Sequence, residues 1–155
     1  MPNILVVNGP NLNIMGRRKD AVYAGLGLDD IRVMVERRAT ELGVTVDFRQ
    51  SNHEGEIVDW LHEALDGVDG VIINATAYTH TSFAIADALG ALDCPSVELH
   101  FSNVHRDSSK VERQKSIIRR AVTGVVAGFG PRGYGAALDL IAGMIEDRTN
   151  KEAGK

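Results

Sequence analysis

Near its start the chain reads Ile4-Leu5-Val6-Val7-Asn8-Gly9-Pro10-Asn11-Leu12-Asn13, an apolar run followed at once by a polar loop. The run is continuously apolar rather than alternating, which is typical of a strand buried on both faces of a parallel sheet. Gly and Pro interrupt regular backbone structure, and Asn side chains offer hydrogen-bond donors and acceptors. Because open parallel sheets bind ligands beyond the carboxyl ends of their strands, this stretch predicts a buried strand that leads into a binding loop.

Strand and helix patterns alternate through the rest of the chain. We predict strands over residues 3–7, 44–49, 70–73, 96–100 and 122–127. We predict helices over residues 28–42, after a capping box at Ser51-Asn52-His53-Glu54, over residues 79–92 and from Pro131 onward. This alternation predicts an α/β fold, a five-stranded parallel sheet with helices on both faces. A flavodoxin-like strand order, 2-1-3-4-5, is the most economical.

Composition and length bound the class of protein. Of the 155 residues, 44% are hydrophobic and 25% are charged, as in an ordinary globular protein, and the formal net charge of −4 argues against nucleic-acid binding. No apolar run approaches the roughly 18 residues of a membrane span. A lone Cys94 fits a reducing compartment. We therefore expect a cytoplasmic protein with one domain over residues 1–147 and a frayed polar tail over residues 148–155.

Three predicted strands end in hydrogen-bonding residues, at Asn8, Asn74 and His100. In the order 2-1-3-4-5 the switch point lies between strands 1 and 3, so Asn11 and Asn74 flank one crevice. Glu98 and His100 share a face of their strand, so the carboxylate can orient the imidazole as a general acid or base. A structural polar pair explains the same spacing equally well.

Three further motifs give weaker signals. Thr79-His80-Thr81-Ser82 opens a predicted helix whose free N–H groups can hold an anion or a hydroxyl-rich ligand, although N-capping alone explains it. Tyr23 lies near Arg17 and Arg18, and a guanidinium stabilises a phenolate. Gly128-Phe129-Gly130-Pro131-Arg132-Gly133 matches a dinucleotide fingerprint, but no later strand supplies the acidic partner, so a helix-entry turn is the better interpretation. The five His and one Cys show no metal-site spacing.

Four strings carry a family resemblance, and they read Asn8-Gly9-Pro10-Asn11-Leu12-Asn13, Gln50-Ser51-Asn52-His53-Glu54-Gly55-Glu56, Tyr78-Thr79-His80-Thr81-Ser82 and Glu98-Leu99-His100-Phe101-Ser102-Asn103-Val104-His105. Over about residues 3–145 the chain resembles type II 3-dehydroquinate dehydratase. The resemblance implies a flavodoxin-like subunit, trimers assembled into a dodecamer, and no metal or cofactor. It also implies dehydration of 3-dehydroquinate to 3-dehydroshikimate in the shikimate or quinate pathway.

The resemblance also implies catalytic roles for five residues. Tyr23 would be the base that removes a C2 proton, and Arg18 would keep it ionised. A water held near Asn11 would help the enolate to form. His100 would protonate the departing C1 hydroxyl, supported by Glu98.

Six further residues would bind the substrate, with Asp87 reaching a neighbouring subunit's site, and they are Asn74, His80, Asp87, Phe101, Ser102 and Arg113. The chain departs from the family pattern at Ala75-Thr76-Ala77, at Lys19-Asp20 and over residues 106–115. Two alternatives therefore stay open. One is a relative that acts on another cyclic hydroxy-keto acid, and the other is a non-catalytic flavin- or nucleotide-binding module.

Overall fold

Five parallel strands form one sheet in this computed structural model, which describes residues 1–17, 25–106 and 109–154. The strands are β1 (Asn3–Asn8), β2 (Thr45–Gln50), β3 (Gly70–Asn74), β4 (Ser96–His100) and β5 (Gly124–Ala127). The order is β2-β1-β3-β4-β5. The helices are α1 (Leu28–Leu42), α2 (Glu54–Glu63), α3 (Phe83–Gly90) and α4 (Arg132–Ala153). The predicted α/β class, strand order and flavodoxin-like topology are confirmed.

The alternating side chains of β1 divide the core into two layers. Ile4 and Val6 belong to the cluster that α1 and α4 cover, whereas Leu5 and Val7 belong to the cluster under α2 and α3. Both faces of the strand are thus buried, as its continuous apolar run predicts. Parallel pairing sets Asn8 beside Asn74 at the carboxyl edge of the sheet.

The third helix begins four residues later than predicted. Residues Thr76–His80 form a 3₁₀ helix, and α3 starts at Phe83. Ser82 is the N-cap, because its Oγ accepts a hydrogen bond of 3.0 Å from the N–H of Ile85. Thr79 lies inside the 3₁₀ helix, and within the described residues its hydroxyl has no hydrogen-bond partner, so it does not cap α3. The predicted start of the α-helix at residue 79 is therefore wrong, since His80 ends the 3₁₀ helix, while ligand binding by residues 79–82 stays a prediction.

The second helix begins without the predicted capping box. His53 is the N-cap residue and its side chain makes no capping bond. The Ser51 hydroxyl accepts from the His53 N–H at 2.9 Å and donates to the Glu56 carboxylate, so Glu54 has no part in the cap. The helix ends at Glu63, and a 3₁₀ helix over Ala64–Asp66 follows it.

The last strand and the last helix differ from prediction at their ends. β5 starts at Gly124 rather than at residue 122. α4 continues to Ala153, so the tail that was expected to fray from residue 148 is helical as far as Ala153. Ile145, in the outer half of this long helix, still packs in the core and anchors the segment that follows. Within the described residues, no helix has the length and apolar character that crossing a membrane requires.

Candidate active site

A buried acid–imidazole pair lies at the carboxyl end of β4. The Nε2 atom of His100 lies 2.5 Å from Oε1 of Glu98, and the exposed fractions of the two side chains are 7% and 0%. Their spacing along the strand puts both side chains on one face, as predicted. A carboxylate that accepts from one imidazole nitrogen fixes the orientation of the ring and stabilises its protonated form. Such a pair can act as a general acid or base.

Two residues from a later loop complete the surroundings of Glu98. The Ser116 hydroxyl donates to Oε2 at 2.9 Å, and the Arg119 guanidinium donates to Oε1 at 3.3 Å. Burial alone would raise the pKa of this carboxyl, but hydrogen bonds from His100 and Ser116 and the charges of His100 and Arg119 outweigh burial and lower the pKa. Glu98 is consequently held as an anion inside the protein.

A second imidazole faces the first. The rings of His80 and His100 are stacked with centroids 6.5 Å apart. His80 Nδ1 lies 2.6 Å from the carbonyl oxygen of Lys115. Because a carbonyl oxygen only accepts, Nδ1 of His80 carries the proton, and in the neutral ring Nε2 is an acceptor. Such an acceptor suits a ligand hydroxyl group.

The loop after β1 is held in place by side chains at the end of β2 and just beyond it. Asn11 has a left-handed backbone with φ of 71°, a conformation that Asn tolerates better than most residues. Its N–H donates to Oδ1 of Asn52 at 2.9 Å, and Gln50 Nε2 donates to the Gly9 carbonyl at 3.2 Å. The Tyr78 hydroxyl donates to the Asn52 carbonyl at 2.7 Å. Asn11 is thereby held against the residues that follow β2.

The two asparagines that end β1 and β3 are buried side by side. Asn8 donates to the Arg49 carbonyl at 2.9 Å and accepts from the Tyr134 hydroxyl, so it serves the structure at this edge. Burial raises the pKa of the Tyr134 phenol, and the Asn74 side chain offsets part of that rise. Asn74 itself is 3% exposed, at the carboxyl end of β3.

The glycine-rich turn before α4 supports β4 rather than a phosphate. The N–H of Gly128 donates to the His100 carbonyl at 3.2 Å, and the N–H of Gly130 donates to the Phe101 carbonyl at 2.9 Å. Both glycines have a positive φ, at 96° and 59°. Since these N–H groups already have partners, the helix-entry interpretation is the one that fits.

The remaining predicted site residues are only partly brought together. Phe101 packs its ring against Tyr134, with centroids 5.8 Å apart, while Ser102 is exposed beside it. Asp87 lies exposed on α3, and Arg113 is exposed at the end of the 3₁₀ turn Val111–Arg113. Their contacts with a substrate stay a prediction. Arg18 and Tyr23 lie outside the described residues.

The sequence analysis missed three residues that contact His80 or Glu98. Lys115 contributes its carbonyl to His80, and Ser116 and Arg119 contact Glu98. The spacing from Glu98 to Arg119 is 21 residues, with no motif between them that signals a contact. Only the folded loop reveals these contacts.

Comparison with known proteins gives one consistent result. The family model for class II dehydroquinase matches residues 2–142. The 3-dehydroquinate dehydratase of Rhizobium johnstonii is 53% identical over 138 residues, which are 89% of this chain and 94% of the relative. That of Rhizobium meliloti is 50% identical over 147 residues, covering 94% of this chain and 98% of the relative. The type II dehydroquinase structure from Butyrivibrio crossotus aligns with a TM-score of 0.85 at 37% identity, covering 90% of this chain and 97% of that one.

Proposed function

This chain belongs to the class II dehydroquinase family, and we propose from that premise that it dehydrates 3-dehydroquinate to 3-dehydroshikimate. The family match confirms the resemblance seen in the sequence. The observation that carries the mechanism is the buried Glu98–His100 pair at the carboxyl edge of the sheet. Dehydration of a hydroxy ketone needs a base for the proton beside the carbonyl and an acid for the departing hydroxyl.

His100 is the proposed acid. Its Nε2 faces Glu98, so Nδ1 is the nitrogen that would deliver a proton to the C1 hydroxyl. Glu98, held as an anion, favours the protonated imidazole that an acid must supply. The buried pair therefore supports the acid step.

Tyr23 is the proposed base, with Arg18 keeping its phenol ionised. The chain has three tyrosines. Tyr134 is fully buried and burial raises its pKa, so it resists ionisation. Tyr78 already donates its hydroxyl to the Asn52 carbonyl. These two assignments leave Tyr23 as the better candidate.

The proposed reaction removes a proton from C2 and the hydroxyl group from C1 of the substrate. The Tyr23 phenolate takes a proton from C2, and the C2–H electrons form an enolate with the C3 ketone, aided by a water near Asn11. The enolate re-forms the ketone as a C1–C2 double bond forms and the C1–O bond breaks. His100 protonates the leaving hydroxyl, which departs as water. The product is a conjugated enone, and the two proton-transfer groups are reset by solvent exchange.

Substrate binding would use both sides of the crevice. His80 Nε2 would accept from a ring hydroxyl, and Asn74 and the backbone at Phe101 and Ser102 would bind polar groups of the ring. Arg113 would pair with the carboxylate. Asp87, exposed on α3, would complete the site of a neighbouring subunit in a dodecamer of trimers. We place the enzyme in the cytoplasm, in the shikimate or quinate pathway.

An ultraviolet assay tests the function. Purified protein mixed with 3-dehydroquinate should produce the rising absorbance of a conjugated enone, and a His100→Ala variant should abolish most of that rise. No rise with 3-dehydroquinate, together with turnover of another cyclic hydroxy-keto acid, would assign the chain a different substrate. A yellow preparation that binds flavin and shows no turnover would refute an enzymatic role.

A further inference from the structure

Arg119 reaches the Glu98–His100 pair from the 3₁₀ helix Ile118–Ala121. Its Nη2 atom donates to Oε1 of Glu98 at 3.3 Å, and its Nη1 atom lies 3.2 Å from Nε2 of His105. Its backbone N–H donates to the Ser116 hydroxyl at 3.0 Å. Since a guanidinium only donates, Nε2 of His105 is the acceptor in this contact. Arg119 therefore links the loop after β4 to the acid–imidazole pair.

We propose that Arg119 is a positioning residue for the reaction, holding Glu98 as an anion in the orientation that fixes His100. The inference rests on the proposed function and deepens it. The described contacts of Arg119 are with Glu98, Ser116 and His105, so its effect on His100 passes through Glu98.

The hydrogen bonds around Glu98 carry this inference. Oε1 accepts from His100 and Arg119, and Oε2 accepts from Ser116. A fully buried carboxylate needs such donors, because an uncompensated charge in the interior is costly. Without the guanidinium, a proton shared with His100 would move more readily to Glu98, and a neutral Glu98 no longer favours an imidazolium.

Ser116 connects the same groups a second time. Its hydroxyl has one proton, which it gives to Glu98, and its oxygen accepts from the Arg119 N–H. The hydroxyl direction is thus set by the start of the short helix that carries the guanidinium. Among the described residues, three groups face the carboxylate, namely His100, Ser116 and Arg119, while His80 and His105 lie one contact further out.

Matched arginine variants provide the kinetic test. Arg119→Met removes the charge, and Arg120→Met removes the same charge from the exposed neighbouring position. We expect Arg119→Met to lower kcat about tenfold with KM unchanged, because a charge-assisted bond is lost without loss of a substrate contact. The acidic limb of its kcat profile moves to higher pH, since Glu98 is then protonated more easily. Arg119→Lys restores the charge and recovers part of the loss.

A kcat and pH profile of Arg119→Met equal to those of Arg120→Met overturns the proposal. If Arg119→Met does not fold, Arg119→Gln takes its place with the same expected shift of the acidic limb, and an unshifted limb overturns the proposal again. Thermal unfolding of each variant before the assay separates folding from catalysis.

Carbon-13 NMR of the Glu98 carboxyl group, recorded without substrate, separates this inference from the proposed function. We expect the Glu98 titration to move to higher pH in Arg119→Met and to stay in place in Arg120→Met. A wild-type protein without activity on 3-dehydroquinate refutes the proposed function, and the NMR titration still decides the role of Arg119. An unchanged titration in Arg119→Met overturns the inference even if the wild type is active.

Discussion

The imidazole rings of His80 and His100 lie nearly parallel, with 17° between their planes and 6.5 Å between their centroids. One ring ends a 3₁₀ turn after β3 and the other ends β4. Two consecutive residues of a later loop hold the rings. The Lys115 carbonyl contacts His80 directly, and the Ser116 hydroxyl contacts Glu98, which in turn contacts His100. The Ile117 N–H also donates to the Thr79 carbonyl at 2.8 Å. One short segment therefore sets the positions of both rings.

The first prediction concerns Glu98→Gln. The amide has nearly the same shape, but one accepting oxygen becomes an NH2 group that only donates, and the side chain carries no charge to stabilise an imidazolium. We expect kcat to fall about a hundredfold, the scale of a general acid or base contribution. Steady-state kinetics with 3-dehydroquinate measure the effect. Glu56→Gln, which changes a carboxylate bonded to Ser51 instead, is the matched control, and equal kcat values in the two variants would contradict the role of Glu98.

The second prediction concerns stability at acid pH. The folded-state pKa of Glu98 lies below its ordinary value, so its charge stabilises the fold above that ordinary value and the contribution is lost as pH falls through the lowered pKa. We expect the wild type to be more stable than Glu98→Gln at neutral pH, and the difference to shrink as pH falls below the ordinary pKa of a glutamate carboxyl group. Urea unfolding of both proteins across this range measures it. A difference that stays constant would show that Glu98 is not stabilised as an anion.

The sheet could be predicted from sequence because its signals are local. The continuous apolar runs of β1 and β3 mark buried parallel strands, and the period of two along β4 places Glu98 and His100 on one face. The start of α3 could not be predicted in the same way. Ser82 and Thr79 are both acceptable caps by residue type, and both are buried, so the choice is seen only in the backbone, where a 3₁₀ helix over Thr76–His80 precedes α3.

The supports of the site depend on contacts that sequence spacing does not encode. Arg119 reaches Glu98 across 21 residues, and Asn52 reaches the Asn11 N–H across 41. The neighbouring Arg120 has the same charge and remains exposed. Only the path of the backbone between residues 109 and 121 distinguishes the two arginines.

The third prediction concerns Tyr134→Phe. The Tyr134 hydroxyl donates to Oδ1 of Asn8 in the buried core, so its removal leaves a buried acceptor without that donor. We expect the free energy of unfolding to fall by about 1–3 kcal/mol. Tyr78→Phe is the matched control, since its hydroxyl bonds the Asn52 carbonyl near the surface. Chemical denaturation compares the two, and an equal loss in both variants would refute the importance of the buried bond.

The fourth prediction concerns Gly9→Ala. A Cβ atom at Gly9 would lie 2.5 Å from the Ala75 carbonyl oxygen, and the Gly9 N–H already donates to the Asn74 carbonyl at 2.8 Å. The backbone must shift to relieve the clash, so we expect a loss of about 1–3 kcal/mol in unfolding free energy. Gly55→Ala is the control, because nothing lies within 4 Å of a Cβ there. If Gly9→Ala melts at the wild-type temperature, the close contact between the two loops is not a constraint on the fold.

The fifth prediction concerns Tyr23→Phe, which removes the proposed base and keeps the ring. We expect turnover of 3-dehydroquinate to fall to less than about a tenth of wild type, since general base catalysis contributes at least about a hundredfold. Thermal unfolding should show that the fold is retained. Tyr78→Phe again serves as the control, because it removes a phenol that is already bonded to a carbonyl. Activity above that tenth in Tyr23→Phe would exclude Tyr23 as the main base. The proposed protonation of the leaving hydroxyl by His100 would be unaffected, because it depends on the contact between His100 and Glu98.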